Sequence, residues 1–338
     1  MHLDVSFPGG DLKAAAALAR RWEELGIGRL WSAETQHDPF LPLAAATVTT
    51  DRIGLGTSIA IAFSRSPMAV ANAAWDLQRA SGGRFVLGLG TQVKAHNVRR
   101  FSVPWSAPVP RLREVVGALR AIWQCWQTGS KLSFHGEHYR FDLMTPFFDP
   151  GPIESPPPPI FLAAVNEHMA RLAGEVADGL HVHSFHSARY ITEVLKPGVA
   201  DGLVIGDRRG ASFQLHARVF TVIGDTAAER ARAREEVRRQ IAFYASTRTY
   251  ARVLAVHGWE EVVARLHELS LHGQWKSMAS LITDEMLDVY AVTGTWDDIG
   301  DRVRARYAGL LDRVTLRGVE SLPPADPRWL RILKGVAG

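Results

Sequence analysis

Four short stretches place polar or very small residues at the ends of apolar, β-branched runs. The first is Glu34-Thr35-Gln36-His37-Asp38-Pro39-Phe40. A histidine titrates near neutrality, so His37 is a candidate proton donor or acceptor. The alternative is that it only caps or spaces the helix that follows. The second stretch is Leu55-Gly56-Thr57-Ser58-Ile59-Ala60-Ile61-Ala62. Glycines followed by small residues let a ligand ring approach the backbone, or let a strand pack closely on its neighbours. The third, Leu87-Gly88-Leu89-Gly90-Thr91-Gln92-Val93-Lys94-Ala95-His96, has the same character and adds Lys94 and His96 for an anion. The fourth is Ala163-Ala164-Val165-Asn166-Glu167. Asn166 is a good N-cap, and backbone N–H groups at a helix start favour phosphate. Glu167 opposes this unless it points away.

Other chemistries have less support. His181 and His183 share one strand face, but spacing supplies no third metal ligand. His135 and His138 fall in an expected hairpin, and no metal is expected at either place. There is no Gly-x-Ser-x-Gly elbow, and the single cysteine, Cys125, lies in an apolar helical run as a small buried hydrophobe.

The elements that must position these residues alternate short strands with longer helices, the pattern of βα units. Strands are expected at Leu3–Phe7, Arg29–Ala33, Ile53–Ile61, Phe85–Gly90, Ile160–Ala164, Gly179–His183, Phe213–Ile223 and Arg313–Leu316. Helices are expected at Asp11–Leu25, Leu41–Thr49, Pro67–Ala80, Arg111–Thr128, Glu167–Val176, Ser187–Val199, Thr226–Tyr244 and Trp296–Tyr307. Asp11 should cap the first helix and Gly26 should stop it. Eight such strands favour a closed (β/α)8 TIM barrel over an open sheet. A dinucleotide-binding sheet would need Gly-x-Gly-x-x-Gly opening a helix, and neither Gly54-Leu55-Gly56 nor Gly88-Leu89-Gly90 has the third glycine. One domain over residues 1–338 is expected. It carries a long loop insertion after strand 4, about 92–158, and a helical insertion before strand 8, about 246–288.

Composition sets the class. The chain has 338 residues, 46% apolar and 22% charged, with a net charge of +4. That is ordinary for a globular protein. No apolar run reaches the roughly 18–20 residues of a membrane span. The N-terminus reads straight into a strand without a signal-peptide pattern, and one cysteine suits a reducing cytosol, so a cytoplasmic protein is expected. The densest basic run, 227–240, interleaves five arginines with three glutamates, the mark of a solvated helix face. Nucleic acid and membrane are therefore not expected partners. A small-molecule substrate is.

The motifs Leu30-Trp31-Ser32-Ala33-Glu34-Thr35-Gln36-His37-Asp38-Pro39-Phe40, Ile53-Gly54-Leu55-Gly56-Thr57-Ser58-Ile59-Ala60, Ser81-Gly82-Gly83-Arg84-Phe85-Val86-Leu87-Gly88-Leu89-Gly90 and Ala173-Gly174-Glu175-Val176-Ala177-Asp178-Gly179 together resemble the luciferase-like superfamily, within it the coenzyme F420-dependent oxidoreductases of actinobacteria. The resemblance runs from strand 1 to strand 8. It implies a redox barrel with a deazaflavin at the strand C-termini, hydride transfer to or from a small substrate, and His37 as the catalytic group. It implies a non-proline cis peptide at Ser58–Ile59 behind the ring. Cofactor contacts are implied for Gln36, Ser58, Ile59, Ala60, Gly90, Thr91 and His183, with the phosphate-bearing tail at Ala164, Val165 and Asn166. The strand-5 loop lacks a glycine many relatives carry. The glutamate that sugar-phosphate-oxidising relatives place after strand 4 is replaced by a region offering Gln92 and Lys94. An FMN-dependent monooxygenase and a non-catalytic flavin-binding barrel are the alternatives, and a homodimer is expected from the family. Trp105, Phe147, Phe148 and Trp275 are candidate walls of the pocket.

Overall fold

The computed structural model describes residues 1–320 and 322–338. The apolar runs become His2–Phe7 (β1), Arg29–Ser32 (β2), Gly54–Thr57 (β3), Phe85–Gly90 (β4), Ile160–Ala164 (β5), Gly179–Val182 (β6), Gln214–Ile223 (β7) and Arg313–Arg317 (β8). Each pairs in parallel with the next, and β8 pairs with β1 through His2–Arg313 and Leu3–Val314. The ring is closed: a TIM barrel. Among the described residues, no helix is long and apolar enough to cross a membrane.

Local signals place the helices. Leu12–Leu25 (α1) starts where Asp11 Oδ1 accepts the N–H groups of Lys13 and Ala14, and it ends at Gly26 with φ 89°. Leu41–Thr47 (α2) and Pro67–Ala80 (α3) each begin with proline in the first turn. Pro108–Thr128 (α4), longer than expected, is one of the barrel's own helices and not part of a loop. It buries Leu112, Val115, Leu119, Ile122, Trp123 and Trp126 at helical spacing, and the two tryptophans pack on Trp75 of α3. The segment 92–158 is therefore irregular only on either side of α4, apart from a short helix at Lys94–Arg99 and the expected hairpin at Phe134–His135 and Arg140–Phe141.

Glu167–Val176 (α5), Lys196–Ile205 (α6) and Ala227–Ala245 (α7) follow β5, β6 and β7. Further helices occupy Ala251–Ala255, Glu260–Leu271, Trp275–Ala279 and Asp284–Tyr290. Ala291–Gly294, not among the expected strands, is a strand that pairs with Phe220–Ile223, where β7 outruns β6. A last helix, Arg328–Ala337 (α8), was not anticipated. Its Trp329, Ile332 and Val336 are buried, and Trp329 meets Trp22 of α1 edge-on at 4.8 Å.

The barrel interior is filled by a few large side chains facing glycines. A Cβ on Gly56 would lie 2.3 Å from the Trp31 ring, and one on Gly88 would lie 2.5 Å from His181 Nε2. At these two positions close packing, not ligand access, explains the glycine. Below Trp31 sits a buried ionic cluster. Asp4 on β1 accepts from Arg313 Nη2 at 2.6 Å, Arg313 Nε at 2.7 Å and Trp31 Nε1 at 2.8 Å. The carboxylate thus ties β1 to β8 and β2.

Removing one partner of a buried ion pair leaves an uncompensated charge. Asp4→Asn is expected to lower the unfolding free energy by about 3–5 kcal/mol. Urea melts at pH 7.5 check this, and an unchanged midpoint with unchanged slope would refute the role given to Asp4.

Candidate functional site

The loop after β2 is pinned on both sides of His37. The Glu34 N–H donates to Ile59 O at 3.0 Å, and its carboxylate accepts from Ile61 N at 2.7 Å and Arg65 Nη1 at 2.6 Å. Asp38 Oδ1 accepts the N–H groups of Phe40 and Leu41 at the start of α2, and Asp38 Oδ2 accepts from Arg65 Nη2 at 2.8 Å. It is Asp38, not His37, that caps this helix. Burial opposes the charge on Arg65, but its bonds to Glu34 and Asp38 outweigh that, and its guanidinium is held above its ordinary value. Between these anchors His37 is exposed and makes no side-chain hydrogen bond among the described residues. It lies over the loop after β1: a Cβ on Gly9 would fall 2.8 Å from His37 Cβ. Gln36 is exposed beside it.

Facing this loop, the run Ile53–Ile61 breaks into β3 and the two-residue strand Ala60–Ile61, with a cis peptide at Ser58–Ile59 between them. Ser58 N donates to Ser32 O at 2.7 Å, and Ala60 pairs with Leu89 of β4. The Ile59 side chain covers the position where Gly90 would carry a Cβ, 2.8 Å away, with Ala163 of β5 next to it. Ile59 and Gly90 are thereby in contact, beside the end of β5. A cleft of about 130 Å³ opens at this end of the barrel, bordered by Gly9, Ala33, Thr35 and Ser58 and by Arg218 of β7. Trp31, His216 and Thr315 line it from below.

The other expected residues form a second group around the end of β5. Ala164 O accepts from His183 N at 3.2 Å, Val165 O from the Tyr190 hydroxyl at 2.7 Å, and Asn166 Oδ1 from Met169 N at 3.0 Å. Asn166 is thus the N-cap of α5. Glu167 is half exposed in its first turn, 3.9 Å from His168. The His183 ring sits against Tyr244 and Tyr250, at 4.7 and 4.9 Å. Thr91 O accepts from Asn97 Nδ2, while Lys94 and His96 lie exposed on the helix Lys94–Arg99.

The candidate walls are placed differently from expectation. Phe147 and Phe148 are exposed and lie beside Asn72 and Asp76 on the flank of α3, away from the cleft. Trp275 packs on Phe243 of α7, and Trp105 is half buried. Residues that sequence reasoning missed are Arg65, Arg218, Tyr244 and Tyr250. Arg65 follows a strand and precedes a proline-started helix, but its partners lie 27 and 31 positions away.

Four histidines near the barrel axis are not free to exchange protons. His181 Nδ1 and His216 Nδ1 lie 2.8 Å apart, and His216 Nε2 lies 3.0 Å from Thr315 Oγ1. One ring nitrogen of the pair donates and the other accepts, so the two rings cannot both be charged, and burial disfavours charge on either. Burial pushes His181 down to about 3, with Arg29 adding to it, and holds His216 well below its usual range. Burial likewise lowers His183 and His186 to about 4.

In the unfolded chain these groups protonate near 6.5. Between about pH 6.5 and 4 the unfolded state therefore binds more protons, and acidification destabilises the fold. The unfolding free energy is expected to be level above pH 7 and to drop by at least about 2 kcal/mol on going to pH 5. Urea unfolding across that range measures it, and a level profile down to pH 5 would contradict neutral burial.

A luciferase-like monooxygenase family model matches residues 3–313. The chain is 48% identical over 314 residues to an uncharacterized protein of Mycobacterium tuberculosis, covering 93% of this chain and 92% of the relative. It is 31% identical over 306 residues to a putative coenzyme F420-dependent oxidoreductase of the same organism, with 84% of each chain covered. The coenzyme F420-dependent tetrahydromethanopterin reductase of Methanopyrus kandleri has a similar fold, with a TM-score of 0.74 at 19% identity over 99% of this chain and 97% of that one. With nearly the whole barrel inside the matched region, the chain belongs to the luciferase-like monooxygenase family and is an oxidoreductase.

Proposed function

We propose that the protein is a coenzyme F420-dependent oxidoreductase acting on a small organic substrate. The observation that carries this reading is His37: an exposed imidazole with no hydrogen-bond partner among the described residues, beside the cleft, on a loop braced at both ends by Arg65. The resemblance to a putative F420-dependent relative supports the choice of cofactor.

The charge around the cleft suits a polyanionic cofactor. Arg65 pairs with both Glu34 and Asp38, which leaves that trio one negative charge, and Arg218 pairs with Glu320. Arg99, Arg100 and Lys94 on the loop and helix after β4 are exposed cations, with His96 exposed beside them. Arg100 also donates to Thr35 O, which keeps this segment next to the His37 loop. A surface with this excess of positive charge draws in anions. Gln36, Ser58, Ile59, Ala60, Gly90 and Thr91 would hold the ring, with His183 beneath, and Ala164, Val165 and Asn166 would take the phosphate-bearing tail. When bound, the deazaflavin supplies a two-electron hydride donor or acceptor.

The chain's own part is orientation and proton movement. Either ring nitrogen of His37 is open to accept a proton from, or return one to, a substrate oxygen. The neutral His181–His216 pair keeps an uncharged floor below the site. Arg65 is a positioning residue: it acts on the substrate only through the loop it holds.

Titration of the purified protein with F420 and with FMN, followed by fluorescence, tests the cofactor. Saturable F420 binding is expected, and binding of FMN with none of F420 would replace this reading by an FMN-dependent one. Saturable binding without redox turnover over a broad substrate panel would leave a non-catalytic flavin-binding barrel.

His37→Ala is expected to reduce turnover by roughly 10²–10⁴-fold, the usual share of general acid–base catalysis, with F420 affinity within about threefold of wild type. Turnover retained within about threefold would remove His37 from the chemistry. Arg65→Leu is expected to speed amide exchange at Ile61, Phe40 and Leu41 by about tenfold or more while the strands stay protected. Unchanged exchange at those amides would show that the brace does not hold the loop.

A further inference from the structure

A large cavity lies at the opposite end of the barrel from His37. It has a volume of about 870 Å³, and the starts of β2, β4, β5 and β7 reach it through Arg29, Val86, Phe161 and Gln214. Helix α4 and the proline connector before β5 form its sides. The size falls within the range of small-molecule sites, roughly 300–1,000 Å³. Three consecutive prolines, Pro157 to Pro159, give it a stiff rim that needs little ordering on binding.

Around the cavity, Arg29, Arg120, Arg208 and Arg313 have two carboxylates close by, Asp4 and Asp178. Both oxygens of Asp4 are taken by Arg313 and Trp31. Asp178 accepts from Arg120 at 3.2 Å, from Arg208 at 3.0 Å and from Ile160 N at 2.9 Å. Nothing is left for Arg29. Its Nε and Nη1 are buried without a hydrogen-bond partner among the described residues, and its guanidinium lies 5.0 Å from the Trp31 ring centre. Burial, followed by repulsion from Arg313, lowers its pKa to about 10, so it is still a cation at neutral pH. A buried, unpaired cation is costly unless an anion meets it.

We propose that this cavity is a second binding site, distinct from the redox site, for a small organic carboxylate with an aromatic or aliphatic body. The carboxylate meets Arg29 at the barrel base. The body lies along Trp123, Phe161 and the prolines, and the side-chain amides of Gln124 and Gln214, which have no protein hydrogen bond, serve polar substituents. A ligand here binds only the folded barrel, so it stabilises the fold by mass action. The assignment does not depend on which cofactor occupies the other end.

Isothermal titration of the full-length protein tests it, with sodium benzoate as the probe and sodium phosphate and chloride at matched ionic strength. Saturable one-site binding of benzoate is expected, weakened about tenfold or more in Arg29→Met because a charge-assisted bond is lost. Ala121→Trp, which fills the cavity from α4 and keeps Arg29, is expected to weaken it as much. Should Arg29→Met not fold, Arg29→Lys carries the comparison, with weaker binding expected from the loss of the planar fork. His37→Ala, at the far end, is expected to change benzoate affinity less than twofold. No saturable benzoate heat, equal binding by wild type and the Arg29 variants, loss of binding in His37→Ala, or phosphate binding as tightly as benzoate would each overturn the proposal.

Discussion

Asp4 sits on the first strand and receives bonds from the last strand and the second. Its contacts with Arg313 span 309 positions of sequence, so this one carboxylate marks where the sheet meets itself. It also fixes Trp31, whose indole N–H it accepts. Trp31 in turn occupies the space left by Gly56 and lies against His181 and His216 at 4.7 and 4.9 Å. The lining beneath the cleft near His37 is therefore set by a charge several residues down the barrel axis. The same arrangement uses up Asp4 and strands Arg29, so the barrel's closure at one end and the unmet cation at its base have one cause.

The two ends of the barrel handle polarity differently. Inside, polar groups are buried, and neutral wherever they can be: burial leaves both rings of the His181–His216 contact uncharged, and Thr315 completes one of them. At the C-terminal end, Arg65 bridges the carboxylates of Glu34 and Asp38. Glu34 is the more informative partner. Its backbone N–H holds Ile59 and its carboxylate holds the N–H of Ile61, so one residue after β2 clasps the segment just past the break in the third strand. The His37 loop and the Ser58–Ile59 segment are in this sense a single unit.

Much of this was legible in the sequence because the signals were local. Asp11 and Gly26 bounded α1, and Asn166 announced α5 by capping it. The alternation of short strands with helices sufficed for a closed barrel. What escaped had non-local causes or atypical local ones. Pro108 and Pro110 made the start of α4 look like loop, although prolines in a first turn are compatible with a helix. Ala291–Gly294 is a strand only because β7 extends past β6 and offers a free edge. Arg65 carries no motif, and its role exists only once two carboxylates about thirty positions away are folded against it. Gly56 and Gly88 were ambiguous in sequence, since a glycine that admits a ligand and one that admits a tryptophan or histidine look alike.

The contrast among the histidines follows from solvent access. A ring that loses water must give up its charge or find a counter-charge, and the inner histidines sit among arginines that make charging harder still. They are suited to filling space and passing a hydrogen bond, not to exchanging protons at neutral pH. His37 has the opposite surroundings. It is solvated, it spends neither nitrogen on a partner among the described residues, and its backbone is held by neighbours on each side. A group that must change protonation during turnover needs freedom at the ring and rigidity at the loop. Along this barrel the two conditions meet at His37, while Arg65 supplies the rigidity without touching the imidazole.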